Sequence, residues 1–235
     1  MIVLLDRAAP GDGQVAPLLE GEDHHLRVRR AREGERVELR DGAGLVGSGR
    51  LRRDGTGWRV EVEERGVVSR RPGVTLAVGA GDRDRFEWLS EKATELGVAA
   101  LIPLETEFTS AVATRVRPQH VAKLRRRALE ALKQCGAAWV PEISPPVSLA
   151  TLLARPVAGE RWLADASGAS AGSVGPPATV LVGPEGGFTP AERGAALSAG
   201  FRPVRLSPYV LRFETAALAA AALAASVATT GGIDG

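Results

Sequence analysis

The chain has one cysteine, Cys135, among its 235 residues, so no internal disulfide can form and the composition suits a reducing compartment. Three histidines and that cysteine fall at no metal-ligand spacing. Long apolar runs are missing too. Ile2 to Leu5 is too short for a secretion signal and lacks a basic lead, and the C-terminal run is too short and too alanine-rich to span a bilayer. A cytoplasmic protein without membrane association is expected. Net charge is only +2, which excludes a polycation, although the basic residues are clustered. Two phosphate-binding signatures are absent. Gly183-Pro184-Glu185-Gly186-Gly187 is followed by no Lys-Ser/Thr pair, and its glycines do not have the dinucleotide spacing. What is plentiful is apolar residue, 44%, enough for one large core or two small ones.

The chain is organised around its C-terminal part. Thr179 to Val182 reads as a buried strand that opens into the glycine-rich turn. Gly183, Gly186 and Gly187 let the backbone turn tightly and approach a ligand. A helix follows, with Thr189 as cap, Pro190 at its first position, Glu192 completing a capping box and Gly200 as its stop. Phe201 to Leu206 reads as a second strand, and a second loop leads into an alanine-rich helix over Glu214 to Ala228. Two strand–loop–helix units side by side put both loops at one edge of a parallel sheet, where open α/β sheets bind ligands.

Upstream, Met1 to Leu5 reads as a strand and His24 to Ala31 as a short helix. Arg36 to Arg40, Leu45 to Leu51 and Trp58 to Val62 form a meander joined by Asp41-Gly42-Ala43-Gly44 and Asp54-Gly55-Thr56-Gly57. Arg27, Arg29, Arg30, Arg32 and Arg36 make this part basic, either a solvated surface or a phosphate-contacting face. Ser69 to Gly73 is a linker. From Val74 strands alternate with helices, the α/β pattern. Asp82 or Asp84 can cap a helix carrying Phe86, Leu89, Ala93 and Leu96 at helical spacing, and Val98 to Leu104 is the next strand. Lys92 and Glu95 read as a surface ion pair. Pro118 to Gln134 is an amphipathic helix with Val121, Leu124, Ala128 and Leu132 inward and Lys123, Arg125, Arg126, Arg127 and Lys133 outward. Arg161 to Ala164 is a short strand, and Ser167 to Pro177 a flexible connection.

The pairing of Gly183-Pro184-Glu185-Gly186-Gly187 with Leu211-Arg212-Phe213-Glu214-Thr215-Ala216 resembles the RsmE family. These are bacterial ribosomal RNA uracil-N3 methyltransferases of the SPOUT class, which use S-adenosylmethionine. Lys92-Ala93-Thr94-Glu95-Leu96-Gly97-Val98 is similar to the family's Lys-x-x-Glu-Leu-Gly-Val. His25, Val28, Arg30 and Gly34 follow its His…Val-x-Arg…Gly pattern, and Gln134-Cys135-Gly136 and Val140-Pro141-Glu142-Ile143 keep its register. The resemblance covers essentially the whole chain, dense near the C-terminus and sparse before the linker.

It implies an α/β protein: a PUA-like RNA-binding β-barrel over 1–70 and a SPOUT methyltransferase domain with a trefoil-knotted parallel sheet over 71–235. It implies that Leu181, Val182, Gly183, Glu185, Gly186, Leu206, Ser207, Tyr209, Leu211, Arg212, Thr215 and Ala216 hold S-adenosylmethionine, with no metal. Arg212 and Glu214 become the catalytic candidates: Arg212 to steady a uracil anion or grip a phosphate, Glu214 to orient Arg212 or cap the last helix. Glu185 is either a proton acceptor or a tie for the turn. Arg27, Arg30, Arg125 and Arg126 are the RNA-contacting candidates. The implied substrate is 16S ribosomal RNA in the small subunit, and the implied assembly a homodimer. The chain departs from the pattern at Ala137 and Phe108, where Arg is usual, at Lys133, where Glu is frequent, and at Phe213, where Thr is. A SPOUT enzyme acting on another RNA position, or an RNA-binding assembly factor without turnover, therefore stays open.

Overall fold

The computed structural model describes residues 1–6, 14–55, 57–157, 159–172, 175 and 177–228. By contacts it divides into two compact units, Met1–Arg71 with Leu129–Val140, and Pro72–Ala128 with the chain from Pro141 onward.

The first unit begins with β1 (Ile2–Leu4), β2 (Val15–Pro17) and the helix α1 (Glu22–Val28). The meander follows as β3 (Arg36–Arg40), β4 (Leu45–Arg53) and β5 (Trp58–Val67). The sheet order is β1-β3-β4-β5-β2, parallel only between β1 and β3. An antiparallel bridge between Leu5 and Leu18 joins the two edge strands, so the sheet closes on itself. Its inward residues alternate as the sequence does: Val37 and Leu39, then Trp58, Val60 and Val62, pack with Val3, Leu5 and Leu26. Asp41 makes the first turn, its Oδ1 accepting the amides of Ala43 (2.7 Å) and Leu45 (3.0 Å). Thr56 of the second predicted turn lies outside the described residues. The expected helix over His24–Ala31 starts earlier, at Glu22, and ends earlier, because Arg30 takes a left-handed φ of 57°. Arg30 N–H donates to the Arg27 carbonyl and Ala31 N–H to the Leu26 carbonyl, the paired bonds that end a helix at a left-handed residue.

The second unit holds β6 (Val74–Gly79), α2 (Arg83–Glu95), β7 (Ala100–Glu105), the single turn α3 (Glu107–Ser110) and the start of α4 (Val121–Cys135). It continues through β8 (Glu142–Ile143), β9 (Val147–Ser148), α5 (Leu149–Leu153), β10 (Glu160–Ser170), β11 (Ala178–Val182), α6 (Pro190–Ser198), β12 (Arg202–Arg205) and α7 (Phe213–Ala228). All seven strands are parallel, in the order β12-β10-β11-β6-β7-β8, with β9 also on β7. α5 and α6 pack together, and Leu149, Leu152, Ala196 and Phe201 form a core with Ala77, Leu104, Leu163 and Leu181. α7 packs on β6, β11 and α2. Its alanines make this close approach possible: Ala217, Ala220, Ala221 and Ala224 recur at helical spacing and are all buried.

Two expectations are corrected here. The units built on β11 and β12 are not neighbours, because β10 runs between them. The segment expected as a flexible connection from Ser167 is strand as far as Ser170, where β10 bulges after Ala164 and then pairs Ala169 with Val204 and Ser170 with Arg205. Residues 173, 174 and 176 of that segment lie outside the described ones. The other caps follow the sequence. Asp82 Oδ1 accepts the amides of Asp84 and Arg85, and Thr189 and Glu192 exchange the two bonds of a capping box.

Candidate functional site

The carboxyl ends of β10, β11 and β12 meet at one edge of the parallel sheet, and the loops that leave them enclose a cavity of about 400 Å³. β11 runs through a fully buried stretch, Ala178 to Val182, and ends in the glycine turn. The turn has little room for side chains: a Cβ on Gly183 would lie 2.9 Å from the Cα of Gly187, and Gly187 itself has φ 72°. Gly79 at the end of β6 lies under Pro184, close enough that a Cβ there would strike Pro184 Cδ at 2.5 Å. The turn therefore rests directly on the sheet. Its far end is tied down by Glu192, whose Oε2 accepts the Thr189 amide (2.9 Å) and whose Oε1 accepts the Glu107 amide (2.9 Å). Phe108 covers the turn from outside, its Cγ 2.9 Å from the place of a Cβ on Gly186.

The second wall is the segment from Arg205 to Leu211, which ends at α7. Phe213 and Ala216, in the first turn of α7, complete it. Phe213 is buried and stacks on Phe86 of α2, ring centres 6.3 Å apart at 28°.

Of the residues expected to hold a donor, Val182, Gly183, Glu185, Leu206, Ser207, Tyr209, Leu211 and Ala216 line the cavity. Leu181, Gly186, Arg212 and Thr215 do not: Leu181 points into the core, and the other three are exposed. Glu214 is buried and pairs with Arg85 of α2 (Oε1 to Nη1, 2.8 Å), so of its two expected roles, orienting Arg212 or capping the last helix, the first has no direct contact behind it. Its second oxygen, Oε2, is buried without a partner among the described residues. Glu185 is exposed at the lip, its Oε2 only 2.6 Å from where a Cβ on Gly81 would stand.

The sequence reading missed Asp165, Arg193 and Arg205, all on the cavity wall. Asp165 Oδ2 accepts from Arg193 Nε (2.7 Å), and its Oδ1 accepts from the amide and hydroxyl of Ser167 (2.8 and 2.7 Å). Burial alone would push this carboxyl up, but the bonds from Arg193 and Ser167 outweigh it and hold the group below the usual carboxylate range. The available signal was the strand Arg161–Ala164, whose carboxyl end had to point to the same edge.

The basic candidates are spread. Arg27 pairs with Asp23 (2.8 Å). Arg30 is exposed and makes no side-chain bond among the described residues. Arg125 gives Nη2 to the Ile143 carbonyl (2.7 Å), and Arg126 is exposed. Among the described residues no three His, Cys, Asp or Glu side chains are grouped to hold a metal ion, and no helix is long and apolar enough to cross a membrane.

The family described as "RNA methyltransferase domain" matches residues 69–225. The chain is 32% identical to ribosomal RNA small subunit methyltransferase E of Mycobacterium bovis over 231 residues, covering 90% of this chain and 86% of that one. It is 32% identical to the protein of the same name from Aquifex aeolicus, covering 87% of this chain and 91% of that one. The crystal structure of the Neisseria gonorrhoeae ribosomal RNA small subunit methyltransferase E bound to S-adenosylmethionine superposes with a TM-score of 0.82, at 27% identity and over 94% of both chains. The glycine turn on β11 and the Arg205–Leu211 wall, enclosing one cavity, thus belong to a chain matched along nearly all of its length, and the protein is a member of the ribosomal RNA small subunit methyltransferase E family of RNA methyltransferases.

Proposed function

We propose that the protein is an S-adenosylmethionine-dependent methyltransferase acting on N3 of a uridine in 16S ribosomal RNA. The observation that carries the reading is that both motif loops, the glycine turn with Gly187 at φ 72° and the segment that leads into α7, line the same cavity. Its volume of about 400 Å³ is within the range of small-molecule sites, about 300–1,000 Å³. Its chemistry fits the donor. Leu163, Val182, Leu206, Leu211 and Phe213 offer apolar walls to a purine, Asp165 offers acceptors to hydroxyls, and Glu185 and Asp165 put negative charge near a sulfonium. Arg205, also on the wall, suits a carboxylate of the donor, while Arg193 holds Asp165 in place. When bound, the donor supplies an electrophilic methyl group.

The protein's own tasks are then positional and electrostatic. A uracil base buried in a helix cannot present N3, so the target must be unpaired or turned out. The N3 proton must be lost, and Glu185, exposed at the lip, is a candidate acceptor. Arg212, exposed where the second wall meets α7, is assigned to steadying the uracil anion or gripping a phosphate. Glu214 faces Arg85 and serves the start of α7. Arg27, Arg30, Arg125 and Arg126 are assigned to RNA phosphates. The first unit is assigned as a PUA-like RNA-binding barrel, supported by its closed five-stranded sheet. The second is assigned as a SPOUT methyltransferase domain with a trefoil knot, supported by the return of the chain from β12 across to β6 and β11 as α7. The relatives' names support the small ribosomal subunit as substrate, and a homodimer acting in the cytoplasm is the assembly that goes with the family resemblance.

The test is incubation of the purified protein with radiolabelled S-adenosylmethionine and unmodified small-subunit particles, followed by mass mapping of the labelled nucleotide. Label at N3 of one uridine is expected. Label on another base or position would replace the substrate assignment, and donor binding without transfer would favour an assembly factor.

A further inference from the structure

We propose that Arg85 is a positioning residue for the second wall of the cavity, acting through Glu214. The inference rests on the reading of that cavity as the methyl-donor site.

Glu214 is 8% exposed. A carboxylate at such a place is costly unless it is paired, and its partner comes from 129 residues earlier in the chain. Arg85 Nη1 donates to Oε1 at 2.8 Å, while Oε2 has no partner among the described residues. An arrangement selected for stability alone would use both oxygens, or replace the pair by apolar groups, since buried ion pairs gain little over a well-packed apolar contact. What a guanidinium–carboxylate contact adds is a fixed distance and direction.

The thing being fixed is the first turn of α7. Glu214 lies between Phe213 and Ala216, both of which line the cavity. The Ala216 amide donates to the Arg212 carbonyl (2.9 Å), so the register of this turn sets where Arg212 and Leu211 leave the wall. Phe86 and Phe213 hold the same two helices together by stacking, but two flat rings at 28° tolerate sliding. Arg85 removes that freedom. It is itself anchored, because its amide donates to Asp82 Oδ1 (3.1 Å) at the cap of α2. That bond is the main reason the Asp82 carboxyl sits below the usual carboxylate range, against the opposing effect of burial and with added help from Thr114 and the Asp84 amide. The line of support runs from Asp82 to Arg85 to Glu214 to the cavity wall.

The experiment compares wild type with Arg85→Met, Arg85→Lys and the double variant Arg85→Met/Glu214→Met. For each, the melting temperature is measured, S-adenosylmethionine binding is titrated calorimetrically, and methyl transfer to small-subunit particles is followed for kcat and the donor KM. Arg85→Met strands a buried carboxylate, so it melts lower and binds the donor at least about tenfold more weakly, about 1.4 kcal/mol. The double variant removes the stranded charge and recovers the melting temperature, yet keeps the weakened donor binding. kcat at saturating donor changes much less than KM in both, the mark of lost ground-state positioning. Arg85→Lys retains most of the affinity. Wild-type donor affinity in the double variant would overturn the proposal, since the pair would then be structural only. A fall in kcat with KM unchanged would overturn it as well. If the wild-type protein itself binds no S-adenosylmethionine, the donor-site reading fails first, and the two failures are told apart.

Discussion

Asp165 shows how much of the site depends on single residues that no local pattern announces. It is an ordinary Asp-Ala-Ser in the sequence, and its partner Arg193 lies in a helix 28 residues later. Only the parallel pairing of β10 with β11 brings Arg161–Leu163 beside Thr179–Leu181 and so carries Asp165 to the same edge as the glycine turn. Because its carboxyl is held below the usual range in the folded protein, the bonds from Arg193 and Ser167 stabilise the fold above the unfolded carboxyl pKa of about 3.9 and are lost as pH falls through the lower folded value. Arg193 is partly exposed, so the contribution is discounted to about 1 kcal/mol. Asp165→Asn should therefore lower stability at pH 7 by about that much and flatten the acid limb below pH 4, read by chemical denaturation across pH. Arg30 makes the opposite case. Its left-handed φ of 57° is where glycine is usual, and a side chain there costs about 1 kcal/mol. Arg30→Gly should raise stability by about that amount and weaken RNA binding, measured by denaturation and by RNA titration. A gain in stability with unchanged RNA affinity would remove Arg30 from the RNA-contacting set.

At the scale of elements, the chain's own signals set the types and often the ends. Thr189, Pro190 and Glu192 start α6 as their spacing demands, and the alternation of Val37, Leu39, Val60 and Val62 puts the meander's inner face inward. Both are legible because they depend on neighbours within a few residues. The order of the parallel strands was not legible, because inserting β10 between β11 and β12 is decided by long-range packing on Leu163 and Trp162, both buried. Nor could the reach of Glu192 be read, since its second bond goes to the Glu107 amide, 85 residues away. That double role has a consequence. Thr189→Ala removes one cap bond and should cost about 1 kcal/mol. Glu192→Ala removes the bonds to the Thr189 and Glu107 amides together, so it should cost more and also loosen the glycine turn, visible as weaker S-adenosylmethionine binding. Phe213→Ala, which empties a buried site against Phe86, should cost about 3–5 kcal/mol and is the largest single loss expected of this edge.

For the whole molecule, net charge of +2 says little about RNA, because many of the arginines spend their charge on neighbours. Arg36 and Arg50 face Glu63, Arg52 faces Glu61, and in α4 Lys123 and Arg127 face the buried Glu87. Such pairs cancel in the far field, and each exposed one adds at most about 1 kcal/mol to stability. A polyanion reaches exposed guanidinium groups, and Arg30 in the first unit and Arg126 in α4, the latter with an interaction of its own, are both exposed. Arg125 is a weaker candidate than the sequence suggests, because part of its guanidinium is committed to the Ile143 carbonyl. Arg30→Gln and Arg126→Gln should each weaken binding to small-subunit RNA about equally for different sequences. Each should also reduce the slope of log affinity against log salt by about 1, as one phosphate contact is lost. Donor affinity should be unchanged in both, since neither residue lines the cavity. The two variants combined should lose about twice as much slope, because contacts to separate phosphates release their counterions independently. A salt slope equal to wild type in the double variant would mean that RNA is held by other groups, and the arginine-rich surfaces would then be solvated faces only.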